Sequence, residues 1–138
     1  MAENKTKPTD ASVGEYLDAK GNAQQRLDCQ ELIVLLGRIS GQPAMMWGPS
    51  IVGFGSYRYT YESGRRGEAP LVGFAIRGRE LVIYLTVDGD GQQALLTKLG
   101  PHKMSKACLN FKQLGDLDKT VLEQLAIGSI AEVKRCHG

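Results

Sequence analysis

AMMWGPSIVGFGSYRYTY, residues 44–61, decides how the rest of the chain is read. It holds the single Trp and three of the five Tyr. If Ile51 to Tyr61 is extended, side chains alternate: Ile51, Gly53, Gly55, Tyr57, Tyr59 and Tyr61 share one face, and Val52, Phe54, Ser56, Arg58 and Thr60 the other. Two glycines on one face let something approach the backbone closely, either a crossing helix or a bound molecule. The second option is a slot floored by Gly53 and Gly55 and walled by Trp47 and Tyr57, with Ser50 among its residues.

Outward from this stretch the periods change. Toward the N-terminus, Met1 to Pro8 is polar and aperiodic and reads as a flexible tail, leaving residues 9–138 as the domain. Thr9 or Asp10 can cap a short helix from Ala11 to about Ala19 with Val13, Tyr16 and Leu17 on one side. Asn22 can cap a second, from Ala23 to Ile39. Its apolar face is Leu27, Cys29, Leu32, Ile33, Leu35, Leu36 and Ile39, with Gln25, Asp28, Glu31 and Arg38 in water. Gly41-Gln42-Pro43 ends it.

Toward the C-terminus, ESGRRGEAP (62–70) reads as a charged loop. Val72, Phe74 and Ile76 alternate with Gly73 and Ala75, and a turn at Arg77-Gly78-Arg79 leads to Leu81–Val87, which alternates again. Asp90 can cap a short helix ending at Gly100-Pro101, Ala107–Phe111 reads as a further strand, and Val121, Leu122, Leu125, Ala126, Ile130 and Val133 lie along a last helix from about Asp118 to Lys134. The expected fold class is α+β: an antiparallel β-sheet of four to five strands with the N- and C-terminal helices packed on one face, in a single domain.

At 138 residues, 42% hydrophobic and 23% charged, the chain can bury one core and lies far from disordered, fibrous or membrane compositions. The longest aliphatic run, Leu32–Leu36, is too short to cross a bilayer, and no secretory leader pattern opens the sequence. Three widely spaced cysteines, Cys29, Cys108 and Cys136, read as reduced thiols, so a cytoplasmic location is expected. A net charge of +2 is too mild to imply a nucleic-acid partner by itself, and the aromatics that binders of single strands use are sparse around the basic cluster Lys98, His102, Lys103, Lys106 and Lys112. Lys103 and Lys106 are the candidate contacts for an anion near the aromatic slot.

Catalytic and metal patterns fail on their spacing. Gly48-Pro49-Ser50-Ile51-Val52 lacks the second glycine of a nucleophile elbow, and Gly53-Phe54-Gly55 meets Arg58 where a dinucleotide loop requires glycine. Asp88 and Asp90 lack the remaining ligands of a calcium loop, and His102 and His137 have no partners at zinc spacing. No catalytic residue set and no resident cofactor follow from the residues. The reading is a non-catalytic binding domain for a small ligand, an anion among the candidates, or for a protein partner, with a homodimer left open.

TDASVGEYL (9–17), MWGPSIVGFGSYRYTYESGR (46–65), Gly73-Phe74 and LGPHKMSKACLNFK (99–112) together resemble the YdhG-like family of small domains of unknown function. Its late pattern is nearer GKSCLYIK; Lys106, Cys108, Leu109 and Lys112 match, whereas Ser105, Ala107 and Asn110 replace its glycine, serine and tyrosine. The resemblance implies an antiparallel sheet with helices. One branch is described as a frataxin-like iron chaperone, which makes intracellular iron handling the alternative function. Such proteins hold iron on a concentrated acidic ridge of hard oxygen ligands. Here Asp10, Glu15, Asp18, Asp28 and Glu31 are interrupted by Lys20 and Arg26.

Overall fold

The computed structural model describes residues 8–9, 12–47, 51–60, 66–85, 90–104 and 108–137. A two-residue strand, β1 (Pro8–Thr9), precedes the helix α1 (Val13–Lys20). Ser12 caps α1, its Oγ accepting from the Glu15 N–H at 3.2 Å. The expected cap Thr9 is drawn away by pairing with Met46, and Asp10 lies outside the described residues. In α2 (Ala23–Ser40) the cap is Asn22, as expected, reinforced by Gln25 in a reciprocal capping box. Gly41 closes α2 in the left-handed region at φ 70°, a conformation that costs a side-chain-bearing residue energy.

Strands β2 (Ala44–Trp47) and β3 (Ile51–Phe54) form an antiparallel pair with Met46 opposite Val52. Extension then stops. Gly55 takes φ 67°, and the chain turns off the sheet into β4 (Tyr57–Thr60), which pairs with β5 (Arg66–Ala69) as a separate two-stranded sheet. Residues 51–60 are therefore not one strand, and the common face expected for Gly53, Gly55 and Tyr57 does not form. The chain returns through Leu71, whose N–H donates to Phe54 O at 3.1 Å, into β6 (Val72–Arg77). A two-residue turn, Gly78-Arg79, with Gly78 at φ 62°, joins β6 to β7 (Glu80–Tyr84).

Helix α3 (Asp90–Leu99) and the two-residue strand β8 (Lys103–Met104) lead to β9 (Cys108–Phe111). A single 3₁₀ turn at Leu114–Asp116 precedes α4 (Lys119–His137). Asp118 Oδ1 accepts from the N–H groups of Thr120 and Val121 at the start of α4. Among the described residues the main sheet has seven strands, all antiparallel, in the order β1-β2-β3-β6-β7-β9-β8. It exceeds the expected four to five because two edge strands contain only two residues each, too short to leave an alternation in the sequence.

Register gives the sheet two different sides. Val52, Phe54, Val72, Phe74, Ile76, Leu81, Ile83, Leu109 and Phe111 pack on the side that also receives residues of all four helices, in one hydrophobic cluster. Leu32, Leu36, Leu122 and Leu125 are fully buried there, each worth about 1.5–3 kcal/mol relative to exposure. On the other side of these strands Trp47, Ala75 and Val82 are buried but stand outside that cluster, whereas Met45 and Arg77 are exposed.

Helix α2 departs from the expected partition. Gln25 and Asp28, expected in water, are 3% and 4% exposed, whereas Leu27, expected in the core, is 60% exposed. The stripe Gln25, Cys29, Leu32, Leu36 sets the inward direction, and at about 100° per residue Leu27 and Val34 fall on the opposite side. Gln25 is tolerated inside because its Nε2 donates to Gly78 O at 3.0 Å, tying α2 to the β6–β7 turn. No helix among the described residues is long and apolar enough to cross a membrane.

Candidate functional site

Gly53 does open a space above the sheet, and the chain's own indole occupies it. A Cβ built on Gly53 would collide with Trp47 Cδ1, lie 2.7 Å from Trp47 Nε1 and 2.7 Å from Pro70 Cβ. Trp47 is 2% exposed. At Gly55 a Cβ would stand 2.7 Å from Leu71 Cδ1 and 3.0 Å from Gln42 Cγ. Both glycines are thus contact points for neighbouring side chains, and no hollow separates Gly53 from the indole. Glycine at 53 serves close packing on the Trp47 side of the sheet, and glycine at 55 serves it beside Leu71 of the helix-side cluster.

The remaining candidates are dispersed. Tyr57, past the Gly55 turn, packs against the helix-side cluster. Lys103 is exposed on β8, the edge strand opposite the β1–β2 end that carries Trp47. Five strand steps separate β2 from β8, about 24 Å at the usual inter-strand spacing, so Lys103 and Trp47 do not share a site. Ser50 and Lys106 lie outside the described residues.

A concave surface with polar and apolar groups together lies elsewhere, between α2 and α4. It is an open groove of about 690 Å³ whose lining includes Leu27, Asp28, Val34, Leu35, Leu114 and Thr120. Leu27 and Val34 on α2 are 60% and 71% exposed, and Ile127 on α4 is 50% exposed. Two ion pairs bridge the helices across the groove: Lys119 Nζ to Glu31 Oε2 at 2.6 Å and Arg38 Nη2 to Glu123 Oε1 at 3.1 Å. Their side chains are substantially exposed, so each contributes about 0–1 kcal/mol. At the floor, Asp28 accepts from Gln24 Nε2 at 2.9 Å and from the Leu114 N–H at 3.0 Å. It holds the 3₁₀ turn against α2.

Sequence reasoning missed this groove, although a signal existed: the helical angle between Leu27/Val34 and the Cys29/Leu32/Leu36 stripe. Cys29, behind the groove, is fully buried, and its thiol is pushed up to about 12 by burial and then by the Asp28 charge. It stays protonated and non-nucleophilic at neutral pH.

The acidic residues of the first two helices lie in unlike settings, with Glu15 and Asp18 exposed on α1. Asp28 is buried and hydrogen-bonded, Glu31 is paired with Lys119, and Asp10 lies outside the described residues. Among the described residues no three His, Cys, Asp or Glu gather as a metal ion would require. No family model, curated protein or solved structure matches the chain.

Proposed function

We propose that this chain is a non-catalytic protein-interaction domain whose working surface is the α2–α4 groove, and that the groove receives a helix of another protein chain. The observation that carries this is the exposure of Leu27 and Val34, one above the other at i and i+7, on a helix whose inward stripe is already satisfied. Apolar side chains at helical spacing beside a cleft are what a docked helix uses, with i, i+3, i+4 and i+7 anchors. The alternating charges at the rim supply register and orientation rather than bulk affinity. A small-ligand slot at Trp47, Gly53 and Tyr57 has less to support it, because indole, proline and leucine side chains occupy the space above the glycines.

The test is an amide-resolved NMR titration with a model amphipathic peptide carrying leucines at helical spacing and mixed charges. Shifts are expected at Leu27, Val34, Lys119 and Ile127, with Trp47 and Lys103 unmoved. Shifts centred on Trp47 and Gly53, or none, would overturn the reading.

A further inference from the structure

We infer that the α2–α4 face of a second copy of this chain covers the groove, so that the docked helices are that copy's own α2 and α4, a proposal that rests on the interaction-domain reading above. The argument is the sign pattern of the rim. Glu31 and Arg38 lie two turns apart on α2, about 10 Å, and face Lys119 and Glu123 respectively on α4. Going round the groove the charges run Glu31 negative, Lys119 positive, Glu123 negative, Arg38 positive.

Such a square is its own complement. Turned over about a two-fold axis along the groove, it sets Glu31 against the second copy's lysine at 119 and Arg38 against its glutamate at 123. About an axis across the groove, Glu31 meets the arginine at 38 and Lys119 the glutamate at 123. Either axis opposes unlike charges at every corner and closes Leu27 and Val34, which line the groove, between the two copies. A partner with a single-sign face meets repulsion at two of the four corners. Self-complementarity of this kind is what a closed two-fold interface demands.

Sedimentation velocity of the full chain tests it, from micromolar to near-millimolar concentration. The 15.0 kDa chain should reach the mass of a pair, with association weakened by salt. Val34→Glu and Arg38→Glu both change exposed side chains, so helical circular dichroism should be kept. Each should weaken association at least about tenfold, since a two-fold axis doubles every unfavourable contact. A wild-type chain that stays single throughout overturns the proposal, and so does a folded Val34→Glu variant that pairs as tightly as wild type. A single-copy wild type whose groove signals still respond to the model peptide rejects self-pairing alone; silence in both experiments rejects the interaction surface itself.

Discussion

Gly53 shows how one missing side chain organises its surroundings. Its absent Cβ is the seat of the indole, and Pro70 closes on it from the side. Neither a ring nor a pyrrolidine can fold aside as a flexible chain would, so Gly53→Ala should cost about 1–3 kcal/mol by overpacking and expose Trp47. Chemical denaturation and a red shift in tryptophan emission measure both; an unchanged emission maximum and midpoint would contradict the packing. Two buried protons make the second residue-scale case. The thiol of Cys29 is raised from 9.0 to about 12, chiefly by burial, and the phenol of Tyr16, whose oxygen accepts from the Ile76 N–H, is raised from 10.0 by burial. Folded values above unfolded ones mean stability fully present below the unfolded values and lost as pH rises toward the folded ones. The urea midpoint should fall steadily above pH 9, and Cys29→Ala should flatten the first part of that fall. A midpoint level from pH 8 to 11 would refute it.

Among elements, the connection between the 3₁₀ turn and α2 rests on one carboxylate. Asp28→Ala would leave the buried Leu114 N–H without its acceptor, a loss of about 1–3 kcal/mol. Asp28→Asn keeps an oxygen there and should retain most of the stability. Equal losses in both variants, by thermal denaturation, would assign the role to charge instead of the hydrogen bond. Elements were legible in the sequence where they were long and one-sided. Val121, Leu122, Leu125, Ala126, Ile130 and Val133 all point inward in α4, and the alternation of Val72, Phe74 and Ile76 gave both strand and facing side. Legibility failed where geometry hinges on one residue. Gly55 serves equally well in a strand or at a left-handed bend, and the bend divides residues 51–60 between two sheets. Arg66-Gly67-Glu68-Ala69 carries no alternation, and its strand is defined by antiparallel pairing with β4. The site failed for a related reason: glycine beside tryptophan can mean a cavity or its filling, and nothing along the chain says which.

The molecule as a whole joins two unlike halves: a broad cluster uniting four helices with one side of the sheet, and a second side where Trp47, Ala75 and Val82 are buried apart from that cluster. Whether the second side can loosen alone follows from the register. Met46 and Trp47 are consecutive on β2, yet Met46 belongs to the helix-side cluster and Trp47 does not. Gly53, under the indole, lies between Val52 and Phe54, which are fully buried on the helix side. Freeing the indole therefore means displacing strands that the helices hold. For a domain of this size that coupling implies one cooperative transition. Trp47 emission, which reports the side away from the helices, and far-ultraviolet circular dichroism, which reports α1 to α4, should share one denaturant midpoint and one slope. An earlier tryptophan midpoint would show that the second side opens as a separate unit, and would return the surface around Gly53 to the candidates for a binding site.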